Sequence, residues 1–118
     1  MNLPHLPPIR FAKEILTCKE KRASVLCEFS CLPTLSMLTE AAAQASSAFA
    51  KSDTPQNGFL VLIKDVVLHV KAQSLTCVVI IEERLSIGNS SEFYFEVFEK
   101  EGGVMNASGS LMIVLEAV

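Results

Sequence analysis

Cys31–Ala50, CLPTLSMLTEAAAQASSAFA, is the stretch that decides the fold. Pro33 opens it, Thr34 stands where an N-cap hydroxyl is favoured, and no further Gly or Pro occurs until Pro55. The run predicts one helix. Its alanines and serines let neighbouring backbone come close, while Leu35, Leu38 and Phe49 supply apolar bulk. A surface helix normally carries a charged face. Here Glu40 is the one residue ionisable at neutral pH, so the helix is expected to be wrapped by the rest of the chain with one carboxyl caught inside.

Ahead of the helix, residues 1–8 (MNLPHLPP) hold three of the five prolines and read as an extended lead-in. Ile9–Cys18 and Arg22–Phe29 read as two strands around the polar turn Lys19-Glu20-Lys21, a hairpin that delivers the chain to the helix. Beyond the helix, Lys51–Asn57 is a polar loop, and the remainder of the chain is nearly all strand. Phe59–Lys71 is rich in β-branched residues, with a bulge or bend expected at Asp65. Ala72–Ser74 is read as the turn into Leu75–Ile87, whose run Val78–Ile81 is apolar on both faces. Gly88–Ser91 is a turn, Glu92–Lys100 alternates buried and exposed positions, Gly102-Gly103 closes a hairpin, and Val104–Leu115 is the last strand. Sequential hairpins make an antiparallel sheet, and one helix cannot cover so much sheet unless the sheet curls round it. The expected class is α+β.

At 118 residues the chain suits a single domain spanning 1–118, with half of its residues hydrophobic and 19% charged. A net charge of −3 offers no basic surplus for phosphates, so nucleic acid is not an expected partner. No signal peptide and no long apolar run is read, which predicts a cytoplasmic protein without a membrane contact. Cys18, Cys27, Cys31 and Cys77 are read as buried thiols of a reducing compartment. Neither His5 nor His69 pairs with a cysteine in a ligand motif, so no metal site is expected, and no cofactor either.

The chemistry is expected to begin at Glu40. A carboxyl inside an apolar helix can serve as acid or base, or it can be a hydrogen-bonded packing residue. Gln44 lies one helical turn further on, where it could orient that carboxyl, bind a substrate carbonyl or satisfy a buried backbone group. His5 sits between prolines in a segment able to reach a neighbouring surface, and His69 could face either side of its strand. Glu82, Glu83, Glu96, Glu99 and Glu101 read as a solvated face and strand ends. Neither a Ser–His–Asp set nor a glycine-rich phosphate loop can be assembled from these residues.

Leu38-Thr39-Glu40-Ala41-Ala42-Ala43-Gln44 resembles the L-x-E-A-x-A-Q core of the hotdog-fold 3-hydroxyacyl-[acyl-carrier-protein] dehydratases, and Leu3-Pro4-His5-Leu6-Pro7-Pro8 is similar to their LPHRPP opening. The order of hairpin, helix and four long strands agrees. The resemblance implies a hotdog fold, a sheet wrapped around one helix, and a homodimer joined sheet edge to sheet edge. It implies acyl-pantetheine thioesters, of coenzyme A or acyl carrier protein, as substrates of fatty-acid-type metabolism, entering at the dimer interface. Glu40 matches the family's catalytic acid. The family's catalytic histidine lies in an H-F-P-G loop ahead of the helix, whereas the matching region here, Leu26–Leu35, contains no histidine or glycine. The family's P-G-D turn falls near Lys71-Ala72-Gln73, which also differs.

The resemblance carries three expectations. One is a dehydratase (a lyase) in which His5 or His69 replaces the missing histidine. Another is a thioesterase in which Glu40 activates water while Gln44, or an N–H near Leu35 or Ser36 at the helix start, polarises the carbonyl. The third is a binding module without catalysis.

Overall fold

Residues 10–49 and 58–115 are described by the structure, a computed structural model. Its first hairpin is β1 (Ala12–Lys19) and β2 (Arg22–Glu28). Helix α1 (Leu35–Ala45) comes next and tightens into a 3-10 turn over Ser46–Phe49. The remaining strands are β3 (Gly58–Leu68), β4 (Thr76–Ile87), β5 (Ser90–Glu99) and β6 (Met105–Leu115). They form one six-stranded antiparallel sheet in the order β1-β2-β4-β5-β6-β3. A single helix lies against the inner face of this sheet, and the architecture is the hotdog fold.

The α-helix is shorter than the stretch that announced it. Pro33 disfavours helical backbone at the residue before it. Thr34 is extended (φ −84°, ψ 170°) and its hydroxyl accepts the Met37 N–H at 3.3 Å, so the helix starts at Leu35. At the other end the Ser46 hydroxyl donates to the Ala43 carbonyl at 2.6 Å, where the α-helix gives way to the 3-10 turn. Leu38, Ala41, Ala42 and Ala45 are wholly buried. The small alanines let the helix sit close to Val25 of β2, Val79 and Ile81 of β4, Phe95 and Val97 of β5 and Leu111 of β6. Burying one large side chain such as Leu38 or Phe95 contributes about 1.5–3 kcal/mol. The expected wrapping of the uncharged helix is therefore what the structure has.

The expected hairpin between the third and fourth long apolar segments does not form. β4 already has β2 on one side and β5 on the other, so β3 takes the open edge of β6 instead. The chain between them crosses three strand spacings, about 14 Å, well within the reach of seven residues. This crossing is pinned at each step. The N–H groups of His69 (2.7 Å) and Val70 (3.2 Å) donate to the Asn106 carbonyl, and Asn106 Nδ2 donates to the Val70 carbonyl at 3.0 Å. Gln73 N–H donates to Glu99 Oε1 at 2.9 Å, and Phe29 N–H to the Leu75 carbonyl at 2.8 Å. Glu99 is therefore buried, not a member of a solvated face as the sequence suggested. Its carboxylate is the acceptor that the crossing backbone needs.

The bulge expected at Asp65 is present. Lys64 pairs with Ser110 and Val67 with Ser108, so β3 carries one extra residue at this point, and Asp65 adopts φ 54°. The bulge presses Val66 onto Gly109, where a Cβ would lie 2.6 Å from Val66 Cγ2 and 2.9 Å from Val66 Cα. β3 is the last strand of the sheet, and Leu60, Val61, Leu62, Ile63, Val67 and Leu68 are exposed along it. No helix of the described residues is long and apolar enough to cross a membrane.

Candidate active site

Helix geometry places Ser36, Glu40 and Gln44 on one stripe, each four residues from the next. Ser36 is exposed, Glu40 half-buried and Gln44 buried, so the stripe runs from the surface into the protein. At its inner end Gln44 Nε2 donates to Glu40 Oε1 at 3.3 Å. The amide oxygen of Gln44 accepts two further bonds, from the N–H groups of Phe11 (2.7 Å) and Ala12 (3.1 Å) where β1 begins. A buried glutamine side chain thus ties the edge of the sheet to the helix and aims its remaining group at the carboxylate.

This local arrangement arises from the sequence around it. Phe11 packs against Phe29 with ring centroids 4.9 Å apart and the rings tilted by 39°, and the Phe11 carbonyl accepts the Glu28 N–H at 2.9 Å. That leaves the backbone N–H groups at the start of β1 facing the helix, where an acceptor is required. Gln44 supplies it. Leu35, half-buried, and Ser36 form the first turn of α1, where backbone N–H groups point out of the helix end. The Thr39 hydroxyl, one residue before Glu40, is held by the Leu35 carbonyl at 2.9 Å. These groups offer a carboxyl for proton transfer and N–H donors about one turn away, a combination suited to a polarised carbonyl.

The two histidines fall differently. His5 lies outside the described residues. His69 is exposed, and its Nε2 sits 2.7 Å from the Ser108 hydroxyl. Ser108 lies between Ala107 and Gly109, both buried, so strand alternation puts it on the outer face of the sheet, opposite α1. Tyr94 shares that outer face and donates from its hydroxyl to Glu96 at 3.2 Å. Within one chain the structure brings Glu40 and Gln44 together and sets His69 across the sheet from them. Among the described residues, no three or more His, Cys, Asp or Glu side chains converge as a metal would require.

No family model matches the sequence, and no curated protein matches it either. Solved structures do match. One is a chain of the dehydratase heterocomplex ApeI:P from Xenorhabdus doucetiae, 15% identical, with a TM-score of 0.81 over 98% of this chain and 89% of that one. Another is Cj0977, a sigma28-regulated virulence protein of Campylobacter jejuni, 10% identical, with a TM-score of 0.74 over 98% and 91%. A hypothetical thioesterase from Streptococcus pneumoniae, solved with coenzyme A, is 14% identical, with a TM-score of 0.66 over 88% and 85%. At these identities the agreement is one of backbone path, and it places this chain in the hotdog fold.

Proposed function

We propose that this protein is a dehydratase-like subunit acting on 3-hydroxyacyl thioesters of acyl carrier protein or coenzyme A, with Glu40 as its acid. The observation that carries the reading is the Gln44–Glu40 contact, which holds one carboxylate in place on the central helix. The similarity to a chain of a dehydratase complex supports the same chemistry.

In this reading the Glu40 carboxyl gives a proton to the hydroxyl on C3, and water leaves as the C2–C3 double bond forms. The proton on C2 goes to a base. The chain has two histidines, and His69 is engaged with Ser108 on the outer face, so the base assigned here is His5. The N–H groups of Leu35 and Ser36 polarise the thioester carbonyl, which makes the C2 proton easier to remove. Gln44 positions Glu40, and His69, on the outer face with Ser108, takes no part in this reading. The site is completed by a second copy joined along β3, whose row of exposed apolar residues suits pairing between edges. The relative from Xenorhabdus doucetiae belongs to a complex of different chains, so a non-identical hotdog subunit is the competing occupant of that edge.

A thioesterase is the second reading. It is favoured by the absence of His69 from the Glu40 side of the sheet, since hydrolysis needs only a carboxylate to activate water. Mass spectrometry of the purified protein with a panel of 3-hydroxyacyl and saturated acyl thioesters decides between them. Loss of water from the 3-hydroxyacyl species supports the dehydratase. Release of free acid and thiol establishes the thioesterase instead. Thioesters that bind but remain intact leave a binding module, unless water loss appears on adding a second hotdog chain.

A further inference from the structure

Two thiols face each other under the helix. In the pairing of β2 with β4, Cys27 stands directly opposite Cys77, and both are buried (0% and 3% exposed). Each side chain belongs to the inner set of its strand, Ala23-Val25-Cys27 on β2 and Cys77-Val79-Ile81 on β4. The ladder shows what kind of pair this is. Phe29 donates to the Leu75 carbonyl and Glu83 to the Lys21 carbonyl, so the hydrogen-bonded positions are the odd-numbered residues of β2, Cys27 among them. Such pairs hold their Cα atoms about 5.5 Å apart. A disulfide accepts Cα separations of roughly 4.4–6.8 Å, which this pair meets, and closing it draws the facing Cβ atoms in from about 4.5–5.5 Å to about 4 Å.

We infer that Cys27 and Cys77 form a modification site, a cross-strand pair that a small peroxide closes into an intramolecular disulfide between β2 and β4. One thiolate attacks a peroxide oxygen, the O–O bond breaks, and a sulfenic acid and water result. The second thiol attacks the sulfenic sulfur, the S–S bond forms, and the S–O bond breaks with loss of a second water. Two thiols and one hydrogen peroxide thus become a disulfide and two waters. Burial excludes a bulky disulfide reagent and leaves hydrogen peroxide as the oxidant that fits. The hydrogen bond with Cys77, and then burial, push the Cys27 thiol upward, so thiolate is scarce at neutral pH and closure is slow. Cys18 and Cys31 are exposed, not buried as the sequence suggested, and are not part of the pair.

The site has consequences beyond its own strands. Cys27 is flanked on its other side by Ala12 of β1, the residue whose N–H rests on Gln44. The link therefore joins β4 to β2, the strand beside the β1 residue that Gln44 holds, whatever the substrate is.

The test uses the full chain with Cys18→Ser and Cys31→Ser, both at exposed positions, so that only the facing pair remains. Hydrogen peroxide is added without denaturant, the protein is then unfolded and alkylated, and its mass and tryptic peptides are read. The expected result is the loss of two hydrogens in a monomer, no alkylation, and a peptide joining Cys27 to Cys77, faster as pH rises. Two alkylated thiols, oxygen added without a link, or a link between chains each overturns the inference. The same protein with Cys77→Ala added serves as the control and must show no intramolecular link.

Discussion

Gln44 donates to Glu40 from its amide nitrogen at 3.3 Å while its amide oxygen accepts the backbone N–H groups of Phe11 and Ala12. One side chain therefore joins a structural duty to a chemical one, and substitutions can separate them. Gln44→Leu removes both. Leaving buried N–H groups without an acceptor costs about 1–3 kcal/mol for each group, so urea denaturation should show a clear loss of stability. Gln44→Glu keeps an acceptor for β1 but sets a second carboxylate against Glu40. It should hold more of the stability than Gln44→Leu while shifting the pH profile of turnover, a readout that a purely structural glutamine would not move.

Glu40→Gln keeps the size of the side chain and a partner for Gln44 but removes the transferable proton. Under the proposed function kcat should fall by a factor of roughly 10² to 10⁴, the usual contribution of one acid–base group. Thioester binding, measured by calorimetry, should change little. Turnover equal to that of the unaltered protein would show that Glu40 is a packing residue.

Glu40 and Gln44 were legible in the sequence because helical spacing is local: four residues on one helix share a face wherever the helix lies. The wrapping was legible too, since a helix of alanines and serines with one charge has no solvent face to offer. What Gln44 holds was not. Phe11 and Ala12 lie more than thirty residues away, and nothing in their own letters marks their N–H groups as needing an acceptor. The place of β3 was hidden for a related reason. Alternation and turn residues locate strands but not their neighbours, so the segment after Val70 read as a turn when it is a crossing pinned by Asn106 and Glu99. The same gap made Glu99 look solvated. The bulge or bend at Asp65 is legible, because an acidic residue within a β-branched run breaks the local pattern.

That bulge yields a stability prediction. Gly109→Ala puts a methyl group against the backbone of Val66, which cannot rotate away as the end of a side chain could. Overpacking of this kind costs about 1–3 kcal/mol, and thermal denaturation should show it. Val66→Ala removes the 2.6 Å contact with Cγ2 but not the 2.9 Å contact with Cα, so the double variant should recover only part of the loss. Full recovery would mean that the bulge yields more easily than its geometry implies.

β3 supplies the last test, which bears on assembly. Leu62 and Leu68 are 51% and 42% exposed on an edge strand, so lysine at either position should leave the folded chain intact. Charge on an edge opposes strand pairing, because joining two copies would bury it beside its symmetry mate. Size-exclusion chromatography with light scattering should find the unaltered protein as a dimer, or a multiple of dimers, and Leu62→Lys/Leu68→Lys as a monomer. Circular dichroism should be the same for both. If activity disappears with the dimer while Glu40 and Gln44 are untouched, the substrate path needs the second subunit. An active monomer would place the whole reaction within one chain and remove the interface from the mechanism.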